Sequence, residues 1–201
     1  MKGLSFLVLL LAFWSAEPPA AGAAEGSGRY AVGDRLENSP ENALAQGGYK
    51  EIEWDDLIPS SWNPADAFAG MNLDEMEDDD PRVQLAFEKF RKMWDDAPVN
   101  PEIGETLIRI PGFVAPLDFE GEGGLKEFLL VPYFGACIHV PPPPANQIIH
   151  ITMETPLMEV QAMEPVWVYG KIVIHRRDTD MGGVGYALVP DRVEPYTDPL
   201  E

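Results

Sequence analysis

Cysteine and positive charge are both scarce in this chain. Its 201 residues include one cysteine, three histidines and 14 lysines and arginines, against 34 aspartates and glutamates. A single cysteine excludes an internal disulfide bond. The formal net charge of −20 repels phosphate backbones, so we expect no nucleic-acid partner. A surface of this sign instead suits cationic partners, metal ions or simple solubility.

Several catalytic signatures are also missing from the sequence. It contains no Gly-x-Ser-x-Gly elbow, no His-Glu-x-x-His helix, no Cys-x-x-Cys pair and no phosphate-binding P-loop. Without them, the sequence favours a binding or accessory role over an enzymatic one.

The first 24 residues have the order of a cleavable export signal. Lys2 provides a positive charge, residues 4–14 are apolar but too short to cross a bilayer, and residues 21–23 are small residues suited to cleavage. No later apolar run reaches transmembrane length, because Pro132 interrupts the best one. We therefore expect a soluble protein exported to the periplasm, with no transmembrane segment after cleavage of the signal peptide at residues 1–24.

Composition divides the rest of the chain into three parts. Residues 25–48 are rich in glycine, alanine, serine and asparagine, which predicts a flexible lead-in. Residues 49–100 predict an arm and a helix that pack on the main domain, with Trp54 and Leu57 as the apolar contacts of the arm. Residues 101–201 have strand-like patterns and form the predicted main domain.

One helix is predicted from residue 81 to about residue 94. Asp80 can cap its start, and Pro81 suits the first helical position. Phe87, Phe90 and Trp94 then recur at helical spacing. We interpret this aromatic stripe as facing the core rather than forming a cofactor site.

The main domain is predicted to be mainly β. The five expected strands cover residues 106–117, 126–134, 147–153, 165–175 and 183–189. Pro111 and Gly112 indicate a bend or bulge in the first of them. The second is almost entirely apolar, which is typical of burial on both faces or of a barrel wall. Short strands with one helix favour a small OB-like Greek-key barrel over a sandwich.

Three stretches of the main domain carry a family resemblance. These stretches resemble the bacterial family called domain of unknown function 3299. They are residues 110–117, residues 127–139 and the four prolines followed by Ala-Asn-Gln. The arm segment 53–59 resembles the same family. The resemblance covers residues 50 to 190. It implies an exported protein without assigned activity, in a family where some members are encoded beside transport components linked to zinc limitation. A periplasmic or inner-membrane transport component is therefore the implied partner. The chain lacks the lipobox cysteine of the lipoprotein members.

A candidate metal site follows from the stretch around the cysteine. Cys137 and His139 are two positions apart, so extended backbone would direct both side chains to one face. A thiolate and an imidazole are suited to zinc or copper, with His150 as a further ligand. The prolines at 141–144 would hold this loop stiffly.

Two other interpretations of this stretch stay open. The imidazole of His139 could activate Cys137 as a catalytic thiolate. Alternatively, the cysteine is a packed residue in a rigid loop and the protein is a structural scaffold. Asn146 and Gln147 are predicted to cap the loop rather than to orient an imidazole.

The third histidine, His175, precedes two arginines. We interpret His175, Arg176 and Arg177 as a solvated strand end rather than as a site. The sequence thus predicts an acidic, exported accessory or binding protein, with zinc or copper as the candidate metals at Cys137, His139 and His150.

Overall fold

A computed structural model describes six parts of the chain: residues 29–38, 46–71, 80–117, 124–138, 140–158 and 160–197. Within them the chain forms six strands and one α-helix. Their bounds are β1 Lys50–Glu51, α1 Pro81–Asp95, β2 Leu107–Pro116, β3 Leu125–Val131, β4 Ile149–Leu157, β5 Pro165–Thr179 and β6 Gly182–Pro195. None of the helices in these ranges has the length and apolar character needed to span a membrane. The predicted signal peptide lies outside the described residues.

Strands β2 to β6 close into a five-stranded barrel. Their order is β2-β3-β4-β6-β5, and β5 pairs back onto β2 to complete the ring. β4 and β6 run parallel, and the other neighbours in the ring run antiparallel. This is a small Greek-key barrel of the OB type, so the predicted fold class is confirmed. The short β1 adds to the outside by pairing in parallel with β2.

The apolar strand β3 is buried on both faces, as predicted. Phe128 and Leu130 point into the barrel and belong to its interior cluster. Leu129 and Val131 point outward, into a second cluster that covers the outside of the barrel wall. All four side chains are fully buried. Because successive side chains of a strand point to opposite faces, β3 contributes to two apolar cores, one inside the barrel and one outside it.

β2 has no bulge at Pro111 and Gly112, so that part of the prediction of a bend or bulge is wrong. The pairing of β2 with β5 continues without interruption from Leu107 to Phe113. Gly112 is required for another reason. A Cβ at this position would lie 2.7 Å from Cγ of Leu130 and 3.0 Å from Cζ2 of Trp54, so only glycine allows the close approach.

The arm supplies part of the barrel interior. Its 3-10 turn Trp54–Leu57 places the side chains of Trp54 and Leu57 in the interior cluster. The indole Nε1 of Trp54 donates to the carbonyl of Pro111 at 2.7 Å, and the hydroxyl of Tyr186 donates to the carbonyl of Leu57 at 2.8 Å. These bonds satisfy polar groups that burial would otherwise leave unpaired.

Part of the predicted flexible lead-in is packed against the barrel. The ring of Tyr30 meets that of Phe113 edge to face, with centroids 5.3 Å apart. Arg35 forms an isolated bridge with Tyr133, and the amide of Phe134 donates to the carbonyl of Asp34 at 2.8 Å. Residues 29–38 therefore form part of the domain. Residues 25–28 and 39–45 lie outside the described residues.

Helix α1 begins as predicted but faces a different environment. The Asp80 side chain accepts from the Arg82 amide at 2.8 Å, and Pro81 occupies the first turn. The prediction of a core-facing aromatic stripe is wrong, because Phe87 is 54% exposed and Phe90 and Trp94 are only partly buried. The barrel end is already filled by the arm, so α1 packs on the 3-10 turn Pro64–Phe68 instead. Its aromatic side chains therefore line a surface groove.

Candidate functional site

A groove with a volume of about 640 Å³ lies between α1 and the proline run. We call it the aromatic groove. It is lined by Phe87, Phe90, Arg91, Trp94, Asp95, Tyr133, Val140, Pro141 and Pro142. A side compartment of about 340 Å³ shares Trp94 and Tyr133 with it and extends toward Trp62, Pro64 and Gln147. Mainly apolar concavities of this size are typical of ligand and peptide sites.

An aromatic ladder runs along the helical side of the groove. Phe68 contacts Phe87 and Phe90 at centroid distances of 5.2 and 5.5 Å. Phe90 lies 5.2 Å from Trp94, and Trp94 lies 6.5 Å from Trp62. Each ring holds its neighbour by edge or tilted contacts, which fixes these side chains while leaving their outer faces open.

The opposite wall is the proline run in extended conformation. Pro144 has φ −62° and ψ 153°, the polyproline II region. The indole Nε1 of Trp94 donates to the carbonyl of Pro142 at 3.0 Å, and the hydroxyl of Tyr133 lies 3.4 Å from the carbonyl of Pro141. The predicted stiff rim therefore exists, and two hydrogen bonds attach it to the aromatic residues of the groove.

The side chains that line the two compartments include three donor groups, those of Trp62, Arg91 and Arg35. The indole N–H of Trp62 and the guanidinium of Arg91 have no partner in the described part of the chain. Arg35 makes one loose ion pair, at 3.7 Å, with the exposed Asp55. The exception among the charged groups is Asp95, which lines the aromatic groove. The site is thus apolar, with donors at its edges.

The predicted capping role of Asn146 and Gln147 takes a different form. The Asn146 amide donates to the carbonyl of Pro98 at 2.9 Å, and the Gln147 amide donates to the carbonyl of Trp54 at 2.5 Å. Both side chains are buried, and their amide oxygens have no partner among the described residues. They attach the arm and the end of the helical region to the proline run.

Cys137 lies in a turn and not in a strand. Its φ of 64° is left-handed, and the surrounding turn is closed by a hydrogen bond of 3.2 Å from the Val140 amide to the Gly135 carbonyl. Cys137 is therefore not in the extended backbone that the prediction of a shared face assumes. His139 lies outside the described residues. The thiol packs against the outer cluster, and burial raises the pKa of Cys137 to about 11.

His150 is engaged elsewhere. Its Nε2 lies 2.6 Å from Oε1 of Glu127, and the same oxygen accepts from the Arg177 guanidinium at 2.7 Å. Burial lowers the pKa of His150. The hydrogen bond from Arg177 lowers the pKa of Glu127. Among the described residues no three metal-ligating side chains converge.

Glu127 and Arg177 were not predicted as site residues. Glu127 precedes the apolar run 128–131, and the sequence alone gives no indication that it faces β4 and the β5 end. Residues 175–177 are all exposed, as the interpretation of a solvated segment expects, but they do not end the strand. β5 continues to Thr179, and Arg176 donates to the carbonyl of Asp95 at 3.2 Å. Both arginines attach the far end of β5 to neighbouring elements.

Comparison with known proteins gives one family. The family model described as "Protein of unknown function (DUF3299)" matches residues 54–195. The crystal structure of a DUF3299 family protein from Pseudomonas aeruginosa PAO1 is 30% identical, with a TM-score of 0.57. The alignment covers 74% of this chain and 97% of that one. A small single-stranded DNA-binding protein from Streptomyces coelicolor is 13% identical with a TM-score of 0.29, over 46% of this chain and 95% of that one. No protein of curated function matches.

Proposed function

The chain belongs to the DUF3299 family, and from this starting point we propose that it is an exported accessory protein that binds an extended segment of a partner protein in the aromatic groove. The partner we propose is a periplasmic or inner-membrane component of a transport system. The role is one of binding, without a chemical step.

The observation that carries this proposal is the open aromatic groove. Phe87 leaves about half of its surface exposed at the edge of a concavity of about 640 Å³. Clustered exposed aromatic surface on a folded domain is typical of interaction sites. The groove is also held in place on both sides, by the aromatic ladder and by the hydrogen bonds to the proline run. Such preorganisation lowers the entropy that binding costs.

The thiol chemistry supports binding over catalysis. A catalytic cysteine needs a lowered pKa, whereas burial raises the pKa of Cys137 to about 11. This argues against a thiol-dependent enzyme.

Export is supported by the order of charged, apolar and small residues at positions 1–24. N-terminal sequencing of protein from the periplasmic fraction should begin at Ala24 or Glu25. An intact Met1 on protein in that fraction would contradict cleavage.

The groove is tested with two matched variants of α1. Phe87 and Leu85 are both exposed, at 54% and 67%, but only Phe87 lines the groove. Peptides selected from a random phage library on the purified protein should bind wild type and Leu85→Asp alike, and should bind Phe87→Asp at least tenfold more weakly. Thermal unfolding checks that both variants fold. A library that yields no binder, or binders that ignore Phe87→Asp, would overturn the proposal.

Metal linkage through Cys137, His139 and His150 stays a separate prediction. It requires His150 to leave Glu127 and the thiol of Cys137 to lose its proton, so zinc affinity should rise with pH. Zinc titration of the reduced protein with a competing chelator measures this affinity, and Cys137→Ser and His139→Ala should each weaken it. Equal zinc affinity in wild type and both variants would show that Cys137 and His139 are not zinc ligands.

A further inference from the structure

We propose that the segment bound in the aromatic groove is proline-rich and adopts the polyproline II conformation. This inference rests on the proposed function, because it names the chemistry of the partner at the same groove.

The first argument is the charge and hydrogen-bonding character of the groove. Three donors face its two compartments: the indole N–H of Trp62 and the guanidinium groups of Arg91 and Arg35. The lining includes one carboxylate, that of Asp95. The amide oxygen of Gln147, which lines the side compartment, is buried. A complementary ligand therefore presents apolar surface and hydrogen-bond-accepting oxygens, with few donors.

A proline-rich segment has this character. Proline has no backbone N–H, and in polyproline II conformation the carbonyls make no internal hydrogen bonds. A helical ligand would have its carbonyls already paired, and an extended strand would bring a row of N–H groups, for which Asp95 is the one carboxylate among the lining side chains. The stiffness of polyproline II also limits the entropy lost on binding.

The second argument is that the protein already makes this contact within its own chain. The carbonyl of Pro142 accepts from the indole N–H of Trp94 at 3.0 Å, and the carbonyl of Pro141 lies 3.4 Å from the hydroxyl of Tyr133. Trp62 lies beside Trp94 with its own N–H unpaired in the described part of the chain. A second proline segment would repeat at Trp62 the contact that Pro142 makes at Trp94.

The test uses a fluorescein-labelled decaproline peptide and a labelled Gly-Ser decapeptide, with fluorescence anisotropy on the mature protein. Decaproline should bind wild type and Leu85→Asp, and the Gly-Ser peptide should bind neither. Phe87→Asp should weaken decaproline binding at least tenfold. Trp62→Phe keeps an aromatic side chain but removes the indole N–H donor. It should weaken decaproline binding about fivefold, the effect of one hydrogen bond. Arg91→Ala should weaken binding, whereas its neighbour Lys92→Ala, which does not line the groove, should not.

The outcomes separate the two proposals. If library peptides without proline bind in a Phe87-dependent way and decaproline does not, the polyproline inference is overturned and the proposed function stands. Decaproline binding that ignores both Phe87→Asp and Trp62→Phe also overturns the inference. If no peptide of either kind binds, both proposals fail.

Discussion

The indole Nε1 of Trp94 donates a 3.0 Å hydrogen bond to the carbonyl of Pro142. This single contact joins α1 to the proline run and so fixes the distance between the two walls of the aromatic groove. Because one wall is a helix and the other has no hydrogen-bonded ladder of its own, the bond holds together elements that no regular secondary structure connects.

Trp94→Phe should therefore destabilise the protein by about 1 kcal/mol, the usual net effect of one hydrogen bond. Urea unfolding followed by circular dichroism measures the change. Trp62→Phe is the matched control, because its indole makes no hydrogen bond in the described residues. Equal losses in the two variants would contradict a structural role for the Trp94 bond.

Trp54→Ala should cost about 3–5 kcal/mol, as large aromatic truncations in cores do. Trp54 is buried in the barrel interior and its indole bonds to Pro111. The same urea experiment applies, with the exposed neighbour Asp55→Ala expected to change stability by less than about 0.5 kcal/mol. An unchanged midpoint for Trp54→Ala would mean that the arm is not part of the core.

Gly112→Ala should destabilise the barrel by about 1–3 kcal/mol, since the added methyl meets Leu130 at 2.7 Å. At Gly104 the nearest atom is Cδ1 of Ile174 at 3.3 Å, the end of an exposed and flexible side chain. Gly104→Ala should therefore be close to neutral. A comparison of the two unfolding midpoints checks the steric argument, which fails if Gly112→Ala is tolerated equally well.

Stability should fall as the pH falls below about 6.5. Burial lowers the pKa of His150, so the unfolded chain binds its proton first and folding stability declines as the pH drops below the ordinary histidine value of 6.5. The pKa of Glu127 is lowered by Arg177, so its contribution is present above the ordinary value of 4.5 and is lost as the pH falls through the folded value. Urea unfolding at several pH values measures the free energy of unfolding as a function of pH. This free energy should change less with pH near pH 6 in His150→Gln, and less in stronger acid in Glu127→Gln, than it does in wild type. Profiles that match wild type would exclude this linkage.

Cys137 should react slowly with iodoacetamide at neutral pH. A pKa of about 11, against an ordinary value of 9.0, lowers the thiolate fraction by about a hundredfold. Mass spectrometry should therefore detect labelling about a hundredfold faster in urea than in the folded protein. Fast labelling of the folded protein would revive the interpretation of Cys137 as a catalytic thiolate.

The barrel was predictable because its strands carry a strong pattern. The unbroken apolar run 128–131 and the alternation from Val166 to Ile172 each indicate burial without any knowledge of strand pairing. The start of α1 was equally clear from Asp80 and Pro81, because capping depends on neighbouring residues alone.

The site was harder to predict because it depends on what covers each surface. Helical spacing shows that Phe87, Phe90 and Trp94 share a face, but not that the arm already fills the barrel end. The i, i+2 argument for Cys137 assumed extended backbone, and a left-handed residue other than glycine leaves no signal in a sequence. Glu127 and His150 meet only through the register of β3 and β4, which was not known.

The closure of the barrel between β2 and β5 also bears on how fast the protein folds. Leu107 pairs with Lys171, so the ring cannot close until residues far apart in sequence have met. The parallel pairing of β4 with β6 adds a second long loop. Domains dominated by such non-local pairing fold in about milliseconds to seconds. Until then both edges of the sheet stay unpaired, and the net charge of −20 is the feature that keeps such chains apart from one another.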